Sequence, residues 1–513
     1  MARPSARYEP RTPDGTALYQ IVHAHLATFR AQAASLRDGE GLPRFVEREF
    51  RDLLRCGFLA GGFARFRCDA CGLDRLVPFS CKGRGFCPSC GGRRMAERAA
   101  HLVDHVFPDV PVRQWVLSLP YRLRYQLAWD HDLCRAVVAV CLRAVLSWLR
   151  RRARLDGVDD GRGGAVAVIQ RFGGALNLNI HVHALVLDGV FAKDQEGALA
   201  FHAIPRLTAL DVAEVLATVE PRIARLLDRR GLGASDAGAG ETDPWADEAP
   251  VLAGLASASV QGTIALGRPR GARVRRAGEP REEGERAVPG GGAHARSRGF
   301  DLHAGLVVPA GERERLERVC RYVLRPPVVD DRLRLTADGQ VALQLRHRWA
   351  DGTTHLMFDP VEFLGRLAVL VPRPRINLIL YHGVLGPRAA WRRAVVRRGN
   401  ASDAGDPAAA ESVAQAEGPE RTTPCQPQPG ARLWADLMRR TFGFDVLACP
   451  RCGGRLRLVA LIEQADVIQR ILRHLGLPTA VSEPCPARPP PCLPDAQSSS
   501  PRGDDLVDID PAC

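Results

Sequence analysis

Two short cysteine pairs, Cys68-Asp69-Ala70-Cys71 and Cys87-Pro88-Ser89-Cys90, restrict what the N-terminal part of this chain can fold into. Two residues lie within each pair and fifteen between them, which is the spacing of a four-thiolate zinc site. Each pair forms a knuckle that turns two sulfurs toward one ion, and Gly85 and Gly91 permit the tight backbone. A structural zinc ion takes a closed tetrahedral shell, and its binding contributes roughly 10–16 kcal/mol of apparent folding free energy. Cys56 and Cys81 lie nearby, and either can replace one of the four. A further pair, in Cys449-Pro450-Arg451-Cys452-Gly453-Gly454, is half of a second site, with Cys485 and Cys492 available to complete it.

Metal is the natural reading of the 15 cysteines only if the thiols stay reduced. Met1-Ala2-Arg3-Pro4 leads into a polar stretch with no apolar signal core. The most apolar helical segment, residues 133–149, is interrupted by Arg135 and Arg143, so no membrane span is expected. A bacterial, cytoplasmic and nucleoid-associated protein is the expectation. The net charge of +13 and pI near 9.4 point to a polyanionic partner, nucleic acid first. Lysine occurs only at Lys82 and Lys193, and Arg forks suit phosphate. A GC-rich genome also writes Arg for surface cations, so charge alone decides little. Lys82, Arg84, Arg93 and Arg94 around the cysteine pairs are candidate phosphate contacts. The bland alternative is a structural staple with a solvated basic face.

The pattern divides the chain. Residues 1–107 read as a helix-plus-zinc-ribbon domain and 110–232 as the first part of a second core. Residues 233–298 are Gly-, Ala- and Arg-rich with little periodicity and read as an insertion. The core resumes over 299–397, a linker covers 398–430, a small module 431–477, and a Pro- and Ser-rich tail 478–513. Within the core, Trp115 to Leu119 reads as a buried strand ended by Pro120, and residues 130–153 as an amphipathic helix. Ala165–Arg171 and Leu176–Phe191 flank Gly173-Gly174 as a hairpin. Antiparallel strands with helices make the fold class α+β.

The second strand of that hairpin contains Asn179-Ile180-His181-Val182-His183. Residues two apart share a strand face, so both imidazoles point at one spot, a geometry suited to a divalent ion with open positions. The hairpin places Gln170 opposite the pair, where its carbonyl oxygen is a candidate third ligand. Core histidines and an ordinary polar glutamine are the alternatives. A helix from Gly311 ends in Arg321-Tyr322-Val323-Leu324-Arg325-Pro326-Pro327, which puts a tyrosine at a helix stop between Arg321 and Arg325, two further candidate DNA contacts. Tyr322 is either a helix-cap residue or a nucleophile toward phosphorus. No Walker-type Gly-rich loop is present, so no nucleotide cofactor is expected.

These motifs, in this order, resemble the rolling-circle insertion-sequence transposases, including the common-region elements, of the wider His-hydrophobic-His endonuclease superfamily. The likeness runs through Cys81 to Met95, Trp115 to Pro120, Gln170 to Gly173, Leu176 to His183, Arg321 to Pro327, Trp349 to Thr353 and Tyr381 to Leu385. It implies a ferredoxin-like or RNA-recognition-motif nuclease core, with His181 and His183 as ligands of Mg2+ or Mn2+ and Tyr322 as nucleophile. Single-stranded or extruded DNA would be cut through a 5′-phosphotyrosine. Relatives with two catalytic tyrosines carry the other four residues upstream; here that position is Arg318, implying a single-tyrosine enzyme. Two other readings remain open: a zinc-ribbon DNA-binding regulator without catalysis, and a metal-dependent nuclease with water as nucleophile.

Overall fold

The computed structural model describes residues 12–36, 40–233, 243–266, 270–278, 292–399, 434–442 and 445–488. The chain opens with α1 (Ala17–Ser35), α2 (Arg44–Arg55), the hairpin β1 (Phe63–Cys68) and β2 (Asp74–Pro78), and α3 (Pro88–His105). Next come β3 (Val112–Ser118), α4 (Tyr121–Trp129), α5 (His131–Leu155), β4 (Gly164–Phe172) and β5 (Leu178–Leu187). β6 (Gly189–Lys193), β7 (Leu199–Ala203), α6 (Ala209–Asp228), α7 (Pro244–Glu248) and α8 (Pro250–Gln261) follow. Then come β8 (Arg275–Gly278), β9 (His294–Ser297), β10 (Phe300–Val308), α9 (Arg313–Val323), β11 (Leu333–Leu335), β12 (Val341–Gln344) and β13 (Thr353–Phe358). The remaining elements are α10 (Pro360–Leu370), β14 (Ile379–Gly383), α11 (Arg392–Gly399), α12 (Trp434–Phe442), β15 (Leu456–Ile462) and α13 (Ala465–His474).

A six-stranded antiparallel sheet in the order β14-β4-β5-β3-β10-β9 forms the centre. Helices cover both of its faces, so its strands alternate between two apolar layers. Trp115, Leu117, Ala167, Ile169, Val182 and Ala184 pack with α4, α5, α6 and α8. Val112, Val166, Val168, Leu185 and Leu187 face the other way, onto Leu102 and Val103 of α3 and Leu316, Cys320 and Val323 of α9. Burial on both sides explains why β5 reads as a mostly apolar run, Asn179 and the two histidines excepted.

Local signals set the helix ends. Asp130 caps α5 by accepting from Leu133 N at 2.8 Å. Thr208 and Asp211 form a capping box on α6. α10 is buried all round, as its sequence implies, and carries its own ion pair, Arg366–Glu362 at 2.8 Å. Among the described residues no helix is long and apolar enough to cross a membrane.

A second buried ion pair fastens β3 to the end of β5. Arg113 holds Asp188 bidentately, both contacts at 2.7 Å, and donates to Ala304 O of β10 at 2.9 Å. Removing one partner strands a buried charge, so Asp188→Ala is expected to cost about 3–5 kcal/mol. Denaturant unfolding checks this, and an unchanged midpoint would contradict it.

Two expectations about organisation change. The stretch 233–298 contains α7, α8, β8 and β9, and Val251, Leu252, Leu255 and Trp245 lie in the main core. The Ala- and Gly-rich composition hid α8, because small residues pack closely without a strong apolar stripe. Nor is 431–477 a separate module: β15 pairs antiparallel with β1, completing a three-stranded sheet β15-β1-β2. Of the expected tail, residues 478–488 run along α1, with Cys485 N donating to His23 O at 2.9 Å. Residues 400–430 of the expected linker, 431–433 of the expected module, and 489–513, including Cys492, lie outside the described residues.

Candidate active site and cysteine clusters

Strand alternation places His181 and His183 on the sheet face that α3 and α9 cover. His181 lies opposite Gln170 of β4 and Ser118 of β3; His183 lies opposite Val168 and Val116. The two rings are 4.9 Å apart and both are buried. His181 Nδ1 is 3.0 Å from the Asn179 carbonyl, which fixes the proton there and leaves Nε2 as a lone pair. His183 Nδ1 lies 2.8 Å from the Gln114 amide group. The near atom is Gln114 Nε2, which donates to Nδ1; turning the amide so that its oxygen accepts from Nδ1–H instead would free His183 Nε2 to bind a cation.

His183 Nε2 and Gln170 Oε1 are both buried with no hydrogen-bond partner. Orphaned buried polar atoms cost about 1–3 kcal/mol each, a cost that a bound cation would relieve. Burial takes the His181 imidazole down to about 4, with Arg325 and Arg124 adding to the effect. Burial, then His181 and Arg325, lowers His183 as well. Both rings are therefore neutral at pH 7, the form that ligates metal. Two imidazoles and an amide oxygen fit a divalent ion with positions left for substrate.

Tyr322 stands in the last turn of α9 with its ring edge-on to His183, centroids 5.9 Å apart at 88°. Gln170 Nε2 donates to Val323 O at 2.7 Å, tying the end of α9 to the strand that bears Gln170. The Tyr322 side reaches solvent, being 44% exposed. Arg325 lies 4.2 Å above its ring and Arg346 6.0 Å away. Arg332 is close to both: burial, with Arg346 and Arg325 adding to it, brings its guanidinium down to about 10. Its Nη2 has no partner, which suits a phosphate oxygen. Gln114, Arg332 and Arg346 were not singled out from sequence, because an isolated Arg or Gln on a strand has no distinguishing spacing.

The other basic candidates divide. Arg325 reaches the tyrosine, whereas Arg321 turns back to Glu317 at 2.5 Å and holds its own helix. Lys82, Arg84 and Arg93 are exposed near the cysteines. Arg84 also donates to Ile376 O at 2.7 Å, and Arg94 clamps the Lys82 and Gly83 carbonyls at 2.9 Å. Tyr381 lies on β14 opposite Val166, away from the row that holds His181, and burial raises its pKa.

The cysteines regroup. Cys68, Cys71, Cys87 and Cys90 do not share one site, contrary to the spacing argument. Cys87 and Cys90 meet Cys56 and Cys81, with sulfur separations of 3.3 Å (Cys81–Cys90), 3.7 Å (Cys56–Cys87) and 3.8 Å (Cys56–Cys90). Pro88 starts α3, so Cys90 sits in its first turn, while Glu49 of α2 fixes the intervening loop through Arg84 N and Gly85 N. Cys68 and Cys71 meet Cys449 and Cys452 instead. A knuckle's spacing is local, and long-range strand pairing decides which knuckle it faces. A third group, His294, Asp301 and His303, was not anticipated: the two imidazoles stack at 3.8 Å and share one Asp301 oxygen, while Arg296 takes the other at 2.7 Å.

α3 begins one residue after Cys87 and also approaches the Pro326 turn that follows Tyr322. A Cβ on Gly91 would meet Pro326 Cβ at 2.6 Å. Gly91→Val should therefore push the Pro326 turn outward and cost about 1–3 kcal/mol by overpacking. Unfolding midpoints check this, and wild-type stability would contradict the close approach.

Two family models match the chain. One, described as "Transposase zinc-binding domain", covers residues 21–119, and the other, described as "Putative transposase", covers 164–392. The first spans Cys56 to Cys90 and the second spans Gln170, the His pair and Tyr322; Cys449 and Cys452 fall outside both. No curated protein and no solved structure matches the chain.

Proposed function

We propose that the chain, which matches a transposase zinc-binding domain and a transposase domain, is an IS91-family, rolling-circle enzyme that cuts and rejoins single-stranded DNA through Tyr322. The observation that carries this reading is the contact between the Tyr322 ring and His183, on a helix end tied to Gln170. His181, His183 and Gln170 would hold Mg2+ or Mn2+. When bound, such an ion supplies Lewis-acid stabilisation of charge at the scissile phosphate.

The residues do the rest. Arg325, Arg332 and Arg346 draw the phosphate toward the exposed edge of the tyrosine. Tyr322 Oη bonds to phosphorus as the bond to the 3′ oxygen breaks in line; the phenol proton leaves to solvent and the 3′ oxygen gains one from water. The product is a 5′-phosphotyrosine and a free 3′-hydroxyl. Attack by a 3′-hydroxyl reverses the step, so rejoining needs no nucleotide cofactor. Arg318, four residues before Tyr322, leaves a single nucleophile on this helix. A ferredoxin-like or RNA-recognition-motif core belongs to the same reading and is supported by the His pair's place inside an antiparallel sheet.

Incubating the protein with single-stranded oligonucleotides bearing element ends, in Mg2+ or Mn2+, should give a denaturant-stable protein–DNA adduct. Cleavage without an adduct would favour a water nucleophile, and binding without cleavage a zinc-ribbon regulator.

A further inference from the structure

We infer that Cys68, Cys71, Cys449 and Cys452 bind one Zn2+, a second structural site that joins the two ends of the chain. The inference does not depend on Tyr322 or on any cleavage chemistry. All four sulfurs lie within 4.8 Å of one another, with Cys68–Cys452 at 3.5 Å and Cys71–Cys449 at 3.6 Å. A Zn–S bond of about 2.3 Å separates sulfurs in a tetrahedral shell by about 3.8 Å, so little movement is needed to seat the ion.

The backbone is built for it on both sides. Cys68 N donates to Leu73 O and Gly72 N to Cys68 O, each at 2.9 Å. Cys449 N donates to Gly454 O at 2.7 Å and Gly453 N to Cys449 O at 2.9 Å. The two Cys-x-x-Cys turns thus repeat the same bonds at the same offsets. Gly72 and Gly453 take the left-handed conformation that closes each turn, at φ 69° and 72°. A Cβ on Gly454 would come within 3.3 Å of Cys68 Sγ and 3.2 Å of Cys452 Sγ, so a side chain there would crowd the sulfurs of both knuckles.

Strand pairing delivers the second knuckle to the first. Cys68 at the end of β1 lies opposite Leu456 at the start of β15. Arg457 reaches Asp69 at 3.1 Å. At the other end of this sheet Ile468 and Leu472 of α13 pack on Phe63. Four thiolates close the shell and leave no position for substrate, which marks the ion as structural.

The consequence reaches the nucleophile helix. Just ahead of the second knuckle, Arg440 of α12 binds Asp104 of α3, its shorter contact at 2.8 Å, and Glu317 of α9. A zinc ion holding Cys449 and Cys452 against β1 would also hold this brace in place.

Metal analysis of the full chain, purified without chelators, tests the inference. About two zinc ions per chain are expected, falling to about one in Cys449→Ser/Cys452→Ser and also in Cys68→Ser/Cys71→Ser. The quadruple variant should also keep about one, because both pairs serve the same ion. Wild-type protein with one zinc, or two zincs retained by Cys449→Ser/Cys452→Ser, would overturn the site. Should the variants fail to fold, stepwise chelation of the wild type with thiol alkylation decides. Cys68, Cys71, Cys449 and Cys452 should become labelled together as one zinc is lost. Labelling of Cys449 and Cys452 in the fully loaded protein, at the rate of free thiols, would overturn it equally.

Discussion

His181→Ala and His183→Ala are each expected to reduce DNA cleavage by at least about 10³-fold while leaving DNA binding near the wild-type level. Losing a ligand removes metal stabilisation worth several kcal/mol, at about 1.4 kcal/mol per factor of ten. On the proposed reading docking would rest on other groups: Lys82, Arg84 and Arg93, which are exposed, and the Arg325 cluster beside Tyr322. The fold should survive, because each imidazole is held by one hydrogen bond and His183 Nε2 has no partner to lose. Cleavage assays across Mg2+ and Mn2+, with circular dichroism and binding controls, measure this. Normal cleavage by the double variant in Mg2+ would end the metal assignment.

Tyr322→Phe should remove covalent adduct formation altogether. Phenylalanine keeps the ring, and with it the edge contact to His183 and the face that Arg325 covers. Only the attacking oxygen goes, so folding and DNA binding should be unchanged and the loss should fall on the chemical step. Tyr381→Phe is expected to retain the adduct, because Tyr381 sits at a different level of the sheet, opposite Val166 rather than Gln170. An adduct formed by Tyr322→Phe would place the nucleophile elsewhere.

Much of the site could be read from residue order, because its parts depend on local periodicity. Two residues along a strand return to the same face, so His181 and His183 had to converge. The Gly173-Gly174 turn had to bring Gln170 opposite them, and Pro326-Pro327 had to end the helix just after Tyr322. The cysteine grouping was not legible in the same way. Cys56 and Cys81 belong to no Cys-x-x-Cys pair, and Cys68 finds its partners 381 and 384 positions later, at Cys449 and Cys452. That choice is made by the pairing of β15 with β1, whose register no local pattern encodes. Arg321 shows a related limit: its position beside Tyr322 suggested phosphate, but Glu317 lies one turn back on the same helix and takes it. Likewise α8 carries too few large apolar residues to announce a helix that packs against α4 and α10.

Peptide mapping of the protein–DNA adduct tests the central claim most directly. The wild-type protein, trapped on a single-stranded oligonucleotide and digested, should yield one DNA-modified peptide, with the phosphodiester on Tyr322. Modification at Tyr381, or at any residue other than tyrosine, would contradict it.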